Sequence, residues 1–141
     1  MKNVQILIVE DDDTNALQIT TRLKRLGYEV CKRVTNGIDA IEEVKKGELD
    51  IILMDISILG ELDGIETAKK IQEFSNIPII YLTASANQQT IDRAKETMPC
   101  GYLVKPVQER DLRIAIEVDE ISILKDKVEE NNKIEKIEEI A

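Results

Sequence analysis

Four short segments are almost continuously apolar: Val4 to Val9, Ile51 to Met54, Ile79 to Leu82 and Tyr102 to Val104. Runs of this length and make-up predict strands buried on both faces, as in a parallel sheet. A fifth, weaker run, Glu29 to Val34, predicts a strand at the sheet edge. Between these runs apolar residues recur at helical spacing: Ala16, Ile19, Leu23 and Leu26; Ile38, Ile41 and Val44; Ile65, Ala68 and Ile71. Punctuation agrees with this division. Gly27 and Gly47 stand where helices should end, and Asn36 and Asp63 stand where N-caps belong.

The resulting order, strand and helix alternating five times, predicts an α/β fold in which right-handed crossovers build a doubly wound parallel sheet with helices on both faces. Such sheets bind ligands beyond the carboxyl ends of their strands, so functional residues are expected immediately after strands one, three, four and five. The 141 residues suit one domain. From Glu117 onward the composition shifts to nine acidic and four basic residues, with helical apolar spacing to about Val128 and ragged spacing afterwards. The expected division is a domain over 1–120 and a C-terminal helical extension or linker over 121–141, either a frayed helix end or a dimerising coil.

Charge and composition narrow the chemistry. The chain carries 28 acidic against 19 basic side chains and no histidine. Without histidine it can be neither a phosphohistidine carrier nor a histidine kinase, and it can build no Ser-His-Asp or Cys-His mechanism. A net charge of −9 without a basic cluster disfavours direct binding to nucleic acid or to an anionic membrane. No spanning segment or cleavable leader is evident, which predicts a soluble cytoplasmic protein. Cys31 and Cys100 form no C-x-x-C pair and are expected as small, buried or half-buried apolar residues.

The expected ligand positions hold Glu10, Asp11, Asp12 and Asp13 after strand one, Asp55 after strand three, Thr83 and Ala84 after strand four, and Lys105 and Pro106 after strand five. Singly, an acidic run caps a helix or faces solvent, and Lys-Pro marks a turn. Together they converge. Carboxylates from two adjacent strands repel one another and raise their own pKa values unless a cation lies between them, and an all-oxygen ligand set suits Mg²⁺. A hydroxyl and an ammonium at the same spot supply a hydrogen bond and a point charge for phosphoryl oxygens, which makes Asp55 a candidate nucleophile.

The chain resembles the response regulator receiver domain, the chemotaxis-regulator type of fold, along almost all of residues 3–120. The resemblance is carried by ILIVEDD at Ile6 to Asp12, ILMD ending at Asp55, Asp63-Gly64, YLTA at Tyr81 to Ala84 and GYLVKP at Gly101 to Pro106. It implies a flavodoxin-like sheet of order 2-1-3-4-5, with Asp55 as phosphoacceptor and Glu10, Asp11, Asp55 and the Ser57 backbone carbonyl as Mg²⁺ ligands. It further implies Lys105 as phosphate partner, and Thr83 and Tyr102 as the switch that alters the face of helix four, strand five and helix five. Implied partners are a histidine kinase or phosphotransfer protein and a downstream output domain or target. One feature departs from the usual pattern, which has a proline four residues after the acceptor and Asp-Gly at seven and eight. Here Leu59 replaces the proline and Asp63-Gly64 fall at eight and nine, so the loop carries one extra residue.

Rival readings lose specific residues. An aspartate-nucleophile phosphohydrolase wants a second acid two positions after the nucleophile, where Ser57 stands. A calcium loop starting at Asp11 would need glycine and a carboxylate where Ala16 and Arg22 stand. A dinucleotide site would need a glycine-rich first loop, which is acidic here. The alternative from another class is a receiver-like interaction module that works without phosphorylation. The expected protein is therefore not an enzyme beyond its own phosphorylation and dephosphorylation.

Overall fold

The computed structural model describes residues 4–120. Five strands, β1 (Ile6–Val9), β2 (Val30–Val34), β3 (Ile51–Asp55), β4 (Ile79–Thr83) and β5 (Gly101–Val104), alternate with α1 (Asp13–Arg25), α2 (Gly37–Lys45), α3 (Gly64–Gln72) and α4 (Gln88–Lys95). A fifth helix, α5, covers 109–120 of the described residues. The expected extension over 121–141 lies outside the described residues. All strand pairs are parallel, in the order β2-β1-β3-β4-β5. Among the described residues no helix is long and apolar enough to cross a membrane.

The sheet separates two apolar layers. Leu7, Val9, Ile52, Met54 and Tyr81 face one side, where Ala40, Val44, Ile65, Ala68 and Ile71 of α2 and α3 cover them. Ile6, Ile8, Leu53, Ile80 and Leu82 face the other, under Ile19 and Leu23 of α1 and Leu112 and Ile116 of α5. Alternating strand positions thus feed opposite layers, and the continuous apolar runs are needed because both faces are covered. The central strands β1, β3 and β4 are fully buried. β5 is only half-buried, because it forms the second edge.

Caps appear where the sequence places them. Asn36 and Asp63 accept hydrogen bonds from Asp39 N and Glu66 N, and Asp63 with Glu66 completes a capping box. Gly27 and Gly47 adopt φ of 91° and 75° just past α1 and α2, where a side chain would be strained.

Several expectations need correction. β1 begins at Ile6 rather than Val4, and β2 at Val30 rather than Glu29. Strands three and four each run one residue further, so Asp55 and Thr83 are the last residues of β3 and β4 rather than the first after them. In α2 the inward face is Gly37, Ala40 and Val44, and Ile38 is 51% exposed. The reason is close approach to α3: a Cβ on Gly37 would collide with the Thr67 hydroxyl oxygen and lie 3.3 Å from Leu62 Cβ, so the glycine must face inward. Cys31 and Cys100 are exposed. Cys31 lies on edge strand β2, and Cys100 in the turn before β5, so neither position belongs to a covered sheet face.

Candidate functional site

The chain order of the sheet reverses between β1 and β3, and the crevice beyond their carboxyl ends receives both acidic segments. Register sets their proximity. Val9 lies beside Met54, so Glu10, the next residue along, and Asp55 stand at the same level of two adjacent strands. One carboxylate oxygen from each of Glu10, Asp11 and Asp55 falls within 4.8 Å of the others. Glu10 and Asp55 are buried, and Asp11 is partly exposed.

The remaining acids of the first loop have other partners. Asp12 caps α1 by accepting from Asn15 N at 2.8 Å, and Asp13 pairs with Arg33 at 2.8 Å. Lys105 reaches across from the end of β5, its Nζ 2.8 Å from Asp55 Oδ2 and 2.9 Å from Glu10 Oε1. Its backbone N donates to Thr83 O at 2.7 Å, which holds the lysine beside the end of β4. Ser57 N donates to Asp55 Oδ1 at 3.0 Å. The Ser57 amide is therefore what the structure places on the acceptor.

The electrostatics are asymmetric, which corrects the expectation that all three carboxylates are raised together. Burial, followed by the Asp55 carboxylate beside it, pushes Glu10 up to about 7 against the opposing pull of Lys105. Burial also disfavours charge on Asp55, but hydrogen bonds from Glu10, Lys105 and the Ser57 amide outweigh it and hold Asp55 below the usual aspartate range. Lys105, although burial opposes its charge, is raised by the two carboxylates it contacts. Of the pair, Glu10 is the carboxyl pushed up and Asp55 the one held down.

The donor set fits a small hard cation. Three carboxylates converge, all ligand atoms are oxygen, and Glu10 Oε2 is buried with no hydrogen-bond partner, an arrangement a cation would satisfy.

Thr83 and Tyr102 both bond to Ser85 rather than to the carboxylates. The Thr83 hydroxyl donates to Ser85 O at 3.1 Å and accepts from Ser85 N at 3.2 Å, while Tyr102 OH donates to the same Ser85 carbonyl at 3.0 Å. The two candidate switch residues share one acceptor.

Asp63-Gly64 has a steric role. Gly64 N donates to Ile56 O at 2.8 Å, and a Cβ on Gly64 would drive into the Asp55 carbonyl oxygen and stand 2.8 Å from Ile56 Cα. Gly64→Ala is expected to cost about 1–3 kcal/mol by overpacking, read as a lower urea midpoint. The same variant should shift the Asp55 amide resonance, because the displaced atom belongs to the Asp55 backbone.

Two groups in the site had no motif to announce them. Arg33, from edge strand β2, donates Nε to the Glu10 carbonyl at 2.9 Å besides pairing with Asp13, and so spans the acidic loop. Leu59 N donates to Asp11 Oδ2 at 3.0 Å. The first contact crosses 23 positions of sequence and the second 48, distances at which local pattern carries no signal.

The model of one family, the response regulator receiver domain, matches residues 6–117. The chain belongs to this family. Among curated relatives of the receiver, the transcriptional regulatory protein ZraR of Klebsiella oxytoca is 34% identical over 116 residues, 82% of this chain and 26% of that protein. PdtaR, a transcriptional regulatory protein of Mycobacterium tuberculosis, is 32% identical over 114 residues, 81% of this chain and 55% of its own. The chain therefore spans about a quarter to about half the length of these two relatives. Chemotaxis protein CheY-3 of Vibrio cholerae is 32% identical over 108 residues, 74% of this chain and 82% of that protein. Among solved structures, the signal receiver domain of a modulated diguanylate cyclase from Desulfovibrio desulfuricans G20 is 40% identical with a TM-score of 0.78, covering 89% of this chain and 97% of its own. Two-component receivers interact with kinases and output domains and bind Mg²⁺ at an acidic cluster; this receiver has such a cluster in Glu10, Asp11 and Asp55.

Proposed function

We propose that this receiver accepts a phosphoryl group on Asp55 from a histidine kinase or phosphotransfer protein, working in the cytoplasm. The observation that carries the reading is the buried Asp55 carboxylate, held below the usual aspartate range with Lys105 Nζ at 2.8 Å. An ionised carboxylate oxygen attacks phosphorus, a new O–P bond forms on Asp55, and the bond from phosphorus to the donor's imidazole nitrogen breaks. Lys105 remains within reach of the transferred oxygens, and the Ser57 amide fixes the orientation of the carboxyl. Glu10, Asp11, Asp55 and the Ser57 carbonyl would hold Mg²⁺, which supplies charge neutralisation for the transferring group.

After transfer, the Thr83 hydroxyl leaves Ser85 for a phosphoryl oxygen. The space it vacates lets Tyr102 leave the Ser85 carbonyl and turn inward, which alters the surface of α4, β5 and α5. The receiver is assigned to residues 1–120, with 121–141 as the segment leading toward an output or a second copy. Addition of a beryllium fluoride phosphoryl mimic is expected to move NMR resonances throughout residues 83–113. Changes confined to the neighbourhood of Asp55 would rule out this route of propagation.

The reading itself is tested by exposing the protein to an acyl phosphate with Mg²⁺ and recording the intact mass. Gain of one phosphoryl group, lost on addition of excess chelator, is the expected result. No gain under any condition would return the chain to an interaction module that works unphosphorylated.

A further inference from the structure

The residue that stands where the family's usual pattern has proline makes a contact that proline cannot make. Proline has no N–H. Leu59 N donates to Asp11 Oδ2 at 3.0 Å, tying the loop after β3 to the loop after β1. Among the described residues this is the hydrogen bond made by the Asp11 side chain, while the neighbouring acids are held separately: Glu10 by Lys105, Asp12 by Asn15 N and Asp13 by Arg33. The Leu59 side chain is 74% exposed, so what this position contributes to the site is its backbone donor. Gly60 follows with φ of 113°, a conformation that glycine allows.

We propose that the Leu59 amide is a positioning group for the cation site, holding the partly exposed Asp11 carboxylate in the orientation in which the three carboxylates converge. The inference rests on the cation reading above. A partly exposed aspartate is otherwise free to exchange among staggered rotamers, most of which turn its carboxylate away from Glu10 and Asp55. Fixing it removes that freedom before the ion arrives, as outer hydrogen bonds to ligating carboxylates commonly do. The replacement of proline and the extra residue together then act as a substitute support: this receiver gains from its loop backbone a donor that the usual pattern lacks.

The test compares two substitutions of the same residue. Leu59→Ala removes the side chain and keeps the N–H; Leu59→Pro removes both. Calorimetric titration with Mg²⁺ at matched ionic strength is expected to show Leu59→Pro binding about ten-fold more weakly than Leu59→Ala. Equal constants for the two variants would overturn the proposal. Absence of a binding signal in the wild type would instead remove the cation reading, so the two failures are distinguishable.

Should Leu59→Pro fail to fold, hydrogen exchange of the Leu59 amide decides the matter. Metal-free Asp11→Ala is expected to exchange at Leu59 about ten-fold faster than wild type, with residues of β4 unaffected. An unchanged rate at Leu59 would overturn the proposal as well.

Discussion

In Asp55→Asn, uptake of phosphate from an acyl phosphate falls below detection, and in Lys105→Met it falls by about 10²–10³-fold while Asp55 is still present. The two losses have different origins. Asparagine keeps the shape of Asp55 but removes the negative oxygen that would attack phosphorus, and the two neighbouring carboxylates are engaged elsewhere: Glu10 is buried against Lys105, and Asp11 is tied to Leu59. Lys105 is not the nucleophile. Its Nζ lies 2.8 Å from Asp55 Oδ2, where it keeps the carboxyl ionised in a buried place and meets the charge that accumulates on the transferred group. Losing a positioned charge of this kind costs about 3–4 kcal/mol of barrier, hence the fold-change. Intact mass against time at fixed donor and Mg²⁺ gives both rates. Wild-type uptake by Asp55→Asn would mean that another residue is the acceptor, and an unchanged rate in Lys105→Met would remove the lysine from the chemistry.

Magnesium is expected to stabilise the fold, and the increment should grow between pH 6 and pH 8. Glu10 sets that window. Its carboxyl releases its proton near 4.5 in the unfolded chain and holds it to about 7 in the folded one. The folded state therefore binds more protons between these two values, so metal-free stability is highest below about 4.5, falls as pH rises from there to about 7 and then levels. Asp55 acts in the opposite sense. Its folded value lies below the usual range, so its contribution is present above the ordinary aspartate pKa and lost only in more acidic solution.

A cation that binds the folded protein must displace the Glu10 proton, so it binds more tightly as pH rises. At free Mg²⁺ about a hundred times its dissociation constant the increment is about 2.7 kcal/mol. Asp55→Asn should shrink that increment. At pH 8, where Glu10 is ionised, the same substitution should raise metal-free stability by removing one of two buried negative charges, while Lys105 keeps Glu10 as its partner. Urea melts of both proteins at pH 6 and pH 8, with and without Mg²⁺ at matched ionic strength, check each sign. Equal increments in wild type and Asp55→Asn would mean that the acidic cluster does not hold the ion.

Much of this architecture was legible because it is local. Apolar runs mark strands covered on both faces, caps sit at fixed offsets from helix ends, and the alternation of strand and helix leaves few ways to wind a sheet. The family motifs then placed Asp55, Thr83 and Lys105 at the right end of it. Local pattern failed where packing between distant elements decides the outcome. Ile38 and Gly37 exchange expected roles because α2 lies so close to α3 that a side chain at 37 would strike Thr67.

Glu10, Asp11, Asp12 and Asp13 are four consecutive acids, alike in sequence and different in use: two enter the cluster, one caps α1 and one pairs with Arg33. Chain order alone cannot assign them, since the direction of each carboxylate depends on partners 3 to 95 positions away. The sequence by itself determined the elements and the end of the sheet at which Glu10, Asp11, Asp55 and Lys105 gather. The tertiary structure decided which acids converge, that Glu10 is pushed up while Asp55 is held down, and that Arg33 and the Leu59 amide brace the loop. Those outcomes follow from burial and short-range electrostatics, which exist only once the chain has brought distant charges together out of water.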